Sequence, residues 1–283
     1  MTEEDDQRVA AWRQSEGIGQ SHSERESLQN SERALSDLVG FVLAFAVIVT
    51  AVGLVSTFGM DSLEDAREAE LAKNTERSFV LLGQNFDELE NGQAVRRTSE
   101  IELRSGSLSV RNSTNITLEI ERPSDDNFER TFTPRSLQYR IGGEAIAYEN
   151  GATFRGGLGT NASVMELEPG FICGDDYAVV SIVEITQTNR SISGGVARVS
   201  GTRVRSELLY PRNRTGNIDT ATDGTRLDVT VDSPFSGGWR QYFIRAGNGW
   251  DHPNPDKNTY TCDVDSSGSI YLKRTVIEIG LDQ

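Results

Sequence analysis

Twenty-one consecutive uncharged residues, Leu38 to Phe58, constrain this chain more than anything else in it. A helix rises about 1.5 Å per residue, so the run reaches about 30 Å, the thickness of a bilayer's hydrocarbon core. We expect a transmembrane helix over 35–60. It is too long for the apolar stretch of a signal peptide, and no A-x-A site follows it, so it stays in the mature protein. Residues 1–34 are polar and acidic at their start, with almost no apolar periodicity. Such a segment buries too little surface to order itself and reads as a disordered cytoplasmic leader.

Orientation is not decided by the basic residues. Arg25 and Arg33 precede the span, and Arg67, Lys73 and Arg77 follow it. Glycosylation acceptors of the form N-x-[ST] stand at Asn112, Asn115, Asn161, Asn189 and Asn213, all after the span. They favour an external C-terminal part.

Beyond the span the periodicity is helical. Phe79, Leu82, Phe86 and Leu89 recur at 3, 4, 3 spacing and mark one apolar face, and Asn91-Gly92 is a stop signal. Residues 61–92 therefore read as an amphipathic stalk continuing the membrane helix. Unbroken, Ser36 to Leu89 would make a rod of about 80 Å.

From Ser99 the period becomes two. Ile101 and Leu103, then Leu108 and Val110, then Ile116, Leu118 and Ile120 alternate with polar residues. Further strand-like runs are Leu137–Ile141, Ala145–Tyr148, Tyr177–Thr186, Val196–Leu209, Leu227–Val231 and Arg274–Ile279, with glycine pairs in the joints. The expected class is α+β: the long helix and its stalk, then a mostly antiparallel, sandwich-like β domain over 93–283. One short helix interrupts it at Pro234–Arg245, where Trp239, Tyr242 and Phe243 share a side and Ser233 is positioned to cap the start. The three rings are the apolar side of a docked helix or a binding face.

Charge narrows the function. Acidic residues outnumber basic ones 43 to 28, for a net −15, and only three of the 28 basic residues are lysines. This excludes a generic nucleic-acid binder, which needs a basic face. An acid-rich, lysine-poor surface fits a protein kept soluble in brine, where screening makes the self-repulsion tolerable. An ordinary acidic protein from a GC-rich genome also trades Lys for Arg.

Candidate chemistry is sparse. The run Asp263-Val-Asp-Ser-Ser-Gly-Ser-Ile270 begins like a calcium loop, with Asp263, Asp265 and Ser267 at alternate positions. Its twelfth position is Arg274, where a bidentate Glu belongs, and the same residues make an ordinary hairpin turn. His252 sits in a turn-rich loop with no G-x-S-x-G elbow to accompany it. Gly156–Asn161 lacks the lysine of a phosphate loop. The expectation is no enzyme and no cofactor. Cys173 and Cys262 are the two cysteines. In an oxidising compartment their pairing is the one intramolecular disulfide available, closing a loop worth up to about 4 kcal/mol. In a reducing compartment they are two free thiols.

The segment Ser31-Glu-Arg-Ala-Leu-Ser-Asp-Leu-Val-Gly-Phe41 places a charged and a small residue just before the apolar helix. Here the chain resembles the N-terminal region of haloarchaeal type IV pilins and archaellins, over roughly residues 31–60. The resemblance implies removal of the leader by a prepilin-type (class III) signal peptidase between Ala34 and Leu35, with Arg33 as the flanking charge. It also implies partners among other pilin-like subunits in the membrane. Many pilins carry Glu at the fifth mature position; this chain has Val39 there, and Asp37 is the nearby carboxylate able to meet a neighbour's terminal amine. A minor pilin or pseudopilin, with a cell-surface β domain, fits that departure. The external location would make Cys173–Cys262 a disulfide. The alternative is a non-assembling single-pass surface protein whose β domain binds a ligand or partner.

Overall fold

The computed structural model describes residues 36–57, 63, 70, 73–103, 106–112, 114–122, 127–157, 162–187, 191–211, 225–245, 247–254 and 257–283. The chain divides into two compact units, Met1–Glu70 and Leu71–Gln283.

The first unit holds the helix Ser36–Thr57, long and apolar enough to cross a membrane, with none of its most apolar stretch buried. Its two threonine hydroxyls are satisfied within the helix. Thr50 Oγ1 donates to Ala46 O at 2.7 Å and Thr57 Oγ1 to Gly53 O at 2.8 Å. A helix spanning hydrocarbon needs this, because no water is there to accept those protons.

The second unit opens with a helix over 73–90. Phe79, Leu82, Phe86 and Leu89, the face marked by the sequence spacing, are all fully buried. The helix ends at Asn91–Gly92. Gly92 takes φ +78°, a conformation side chains resist, and Gln93 N returns to Glu88 O at 2.9 Å. The expected rod from Ser36 to Leu89 crosses residues outside those described.

Sixteen strands follow among the described residues: β1 (Arg96–Glu102), β2 (Ser107–Asn112), β3 (Asn115–Glu121), β4 (Phe128–Phe132), β5 (Arg135–Ile141), β6 (Glu144–Glu149), β7 (Ala152–Gly157), β8 (Val164–Leu167), β9 (Phe171–Cys173), β10 (Tyr177–Thr186), β11 (Ser191–Ser193), β12 (Val196–Tyr210), β13 (Arg226–Asp232), β14 (Asp251–Asn254), β15 (Thr259–Asp263) and β16 (Ser269–Asp282). They form three sheets, ordered β1-β12-β16-β10-β9, β11-β2-β5-β6-β7-β8 and β14-β15-β13-β3-β4. Pairing is antiparallel except for β10 with β16, which run parallel from Tyr177↔Ser269 to Thr186↔Glu278.

Two strands explain why the domain has two cores. In β6, Ala145 and Ala147 enter one apolar cluster while Ile146 and Tyr148 enter the other. In β10, Ala178, Val180 and Ile182 face the first cluster, and Val183 and Ile185 the second. Alternate residues of a strand point to opposite faces, so a strand buried on both sides reads as an unbroken apolar run. The 73–90 helix covers the second cluster. The short helix Ser236–Phe243 closes the first, which also takes Ile116, Leu118 and Ile120 of β3. The other side of β3 is polar. Thr131, Thr117, Thr230 and Thr259 line up across β4, β3, β13 and β15.

Candidate functional site

The residues expected to act at the membrane divide in two. Asp37 lies in the first turn of the Ser36–Thr57 helix and is exposed. Arg33, Ala34 and Leu35 lie outside the described residues. Around Gly40 and Gly53, among the described residues, no atom lies within 4 Å of where a side chain would project.

In the β domain the most heavily built polar site surrounds Glu149, the last residue of β6. It is fully buried. Thr114, just ahead of β3, donates Oγ1 to Glu149 Oε2 at 2.5 Å. Ser233, just after β13, donates Oγ to Oε1 at 2.7 Å, and Trp239 of the short helix donates its indole N–H to Oε1 at 2.9 Å. One carboxyl group thereby ties the second sheet to the third and to the helix. Burial pushes its pKa above the ordinary carboxylate range, and the hydrogen bonds from Thr114, Trp239 and Ser233 pull it part of the way back. Next in the chain, Asn150 is buried at φ +48° and its Oδ1 accepts from Val183 N at 2.9 Å, fixing the turn against β10.

A second buried carboxyl ends the 73–90 helix. Burial raises the Glu90 pKa, and the Lys273 ammonium offsets part of the rise. Lys273 Nζ also donates to the Glu90 main-chain oxygen at 2.7 Å, holding the helix end to β16. Sequence reading missed both acids. Glu90 had a signal, since it lies four residues after Phe86 and borders the apolar face. Glu149 had only its place at the end of an apolar run.

Cys173 of β9 and Cys262 of β15 form a disulfide with Cα atoms 5.7 Å apart, joining the first sheet to the third. It lies at the rim of an aromatic cluster. Phe243 stacks on Tyr260 with centroids 4.0 Å apart, and Trp239 meets Phe154 at 5.4 Å and Phe171 at 5.8 Å. Trp239, Tyr242 and Phe243 are all buried, so these rings are packing rather than an open binding face. The expected Ser233 cap differs in place. The helix N-cap is Phe235, without a side-chain cap, and Ser233 Oγ accepts from the Phe235 amide at 3.0 Å.

The remaining candidates are separate from this region or from each other. Asp263 ends β15, while Asp265 and Ser267 are exposed in a turn closed by Gly268 N to Asp265 O at 2.7 Å. That turn is not a hairpin: β15 and β16 belong to different sheets, and Asp265 N and Ser269 N bond to Asp175 O and Asp176 O. Among the described residues no three His, Cys, Asp or Glu side chains gather as a metal site would require. His252 stacks on Tyr260 at 4.9 Å and its Nε2 lies 3.0 Å from Lys257 O. Asn112 and Asn115 are exposed at the end of β2 and the start of β3. Asn161, Asn189 and Asn213 fall outside the described residues. Open polar grooves flank Arg135, one lined by Asn112, Asn115 and Thr133, the other by Glu184, Thr186 and Glu278.

A family match covers residues 33–280, with the description "Family of unknown function (DUF7289)". No curated protein and no solved structure matches the chain.

Proposed function

The chain belongs to DUF7289, a family of unknown function, and we propose that it is a type IV pilin-like surface subunit, a minor pilin or pseudopilin. The observation that carries this reading is a 22-residue apolar helix with none of its most apolar stretch buried, headed by Asp37 and preceded in sequence by Arg33-Ala34. A helix apolar on every side needs lipid or other such helices around it. In this reading a prepilin-type peptidase cuts before Leu35, and Asp37 receives a neighbour's terminal amine. The helix then passes from the membrane into a bundle of like helices. Residues 61–92 serve as the stalk, and the sandwich-like β domain faces a saline exterior, with its disulfide and any glycan. The role is mechanical, and no step of chemistry is assigned to the chain.

Val39 in place of the usual Glu favours a second reading, an anchored surface protein that does not assemble. Sequencing the N-terminus of the protein isolated from membranes tests the first. A start at Leu35 is expected. An intact Met1 overturns it.

A further inference from the structure

Each sheet ends in two edge strands, and five of the six are blunted. β9 and β11 have three residues and β8 four; β14 has four, with Pro253 and a break in register; β4 has five. β1 differs. Among the described residues it is the outermost strand of the first sheet, with seven residues in unbroken register on β12 and no proline; four of the seven are charged, and the two signs cancel. A long, regular edge is a template for another strand unless something forbids it.

The main-chain bonds show which groups are offered. Arg203 N donates to Val95 O at 2.9 Å, and Leu103 N to Gly195 O at 2.8 Å. Odd-numbered residues of β1 thus bond inward to β12. The N–H and C=O groups of Arg96, Thr98, Glu100 and Glu102 point away from it. Those four side chains are exposed.

We infer that β1 is a self-pairing edge whose occupant is β1 of a second copy, antiparallel and centred on Ser99. Charge order selects this partner. β1 is cationic at its start (Arg96, Arg97) and anionic at its end (Glu100, Glu102), so it is neutral within a chain of net −15. Laid antiparallel on its own image, Arg96 faces the second copy's Glu102, and Thr98 faces Glu100. Laid parallel, like would face like. The antiparallel register is also the one in which the outward-pointing residues meet as hydrogen-bonded pairs. About eight main-chain bonds would form, and two five-stranded sheets would become one. Contact between two such acidic molecules is least opposed where the local charge cancels. The inference does not rest on the pilin reading and holds whether or not the leader is cut.

The test uses the full chain in detergent micelles. Ser99 would lie about 4.5 Å from its counterpart, Cα to Cα, within disulfide range. Both native cysteines are already paired, so Ser99→Cys supplies the single free thiol. Mild oxidation should link Ser99→Cys into dimers, and should not link Thr117→Cys in the middle of the third sheet. Arg96→Glu and Glu102→Arg, made singly, should each weaken the dimer about tenfold, and the double swap should restore it. A monomeric parent chain, equal linking of both cysteine variants, or a double swap as weak as its singles would each overturn the assignment. A dimer held only by the apolar helix would ignore the swaps and overturn it too.

Discussion

The indole N–H of Trp239 donates to the Glu149 carboxylate at 2.9 Å across ninety residues of sequence. Neither group meets solvent, since Trp239 is 1% exposed and Glu149 not at all. A buried carboxyl is tolerable only when its oxygens are bonded, and here Thr114, Ser233 and Trp239 share that task. The relationship makes Glu149 a joint between separate parts of the β domain.

Truncating that joint should be costly. Glu149→Ala leaves three donors without an acceptor, for a loss of about 3 kcal/mol or more. Trp239→Phe removes one donor while keeping most of the ring and should lose about 1–2 kcal/mol. Chemical denaturation of the two variants beside the parent checks the order.

Stability should fall as pH rises above the ordinary carboxylate range. Burial raises the pKa of both Glu149 and Glu90 in the folded chain, so the folded state binds more protons than the unfolded one there. Their contribution is complete below the unfolded value and is lost as pH climbs through the folded one. Glu168 runs the other way. The hydrogen bond from Arg245 lowers its pKa, so its contribution is lost as pH falls. Melting temperatures over this range should decline less steeply in Glu149→Gln than in the parent; equal slopes would refute the assignment.

Opening the disulfide should lower stability by about 4 kcal/mol, the entropy of a loop closed across 89 positions. Cys173→Ser with Cys262→Ser should melt earlier than the parent, and reductant should shift the parent toward the double variant but leave the variant unmoved.

Phe86→Ala should cost about 3–5 kcal/mol. The ring is fully buried and meets Tyr148 edge-on with centroids 5.1 Å apart, so its loss opens the second core. Proteolysis within 73–90 should speed up with the substitution, whereas Leu81→Ala, on the exposed side of the same helix, should change little.

Local pattern carried much of this. The 3, 4, 3 spacing from Phe79 to Leu89 marked the face that is buried, and alternation placed β2, β3, β5 and β13. What stayed hidden depended on distant partners. The parallel pairing of β10 with β16 joins strands about ninety residues apart, and nothing near either announces it. Turn chemistry from Asp265 to Gly268 is the same whether the flanking strands pair or diverge to different sheets, so a hairpin was expected where a crossover stands. Ser233 looked like a helix cap because its neighbours suggested one; its hydroxyl proton goes to Glu149 instead. The helix Ser36–Thr57, long and apolar enough to cross a membrane, is legible from composition alone, because an uncharged run of that length is itself the signal.

The compact unit that contains the β sheets begins at Leu71, ahead of β1. Any soluble fragment cut from this protein must therefore keep the 73–90 helix. A cleavage after Asn91 would shed a domain whose second core lacks Phe79, Leu82, Phe86 and Leu89, with Tyr148 deprived of the Phe86 ring. Shedding that leaves a folded fragment is confined to the stretch between Thr57 and Lys73.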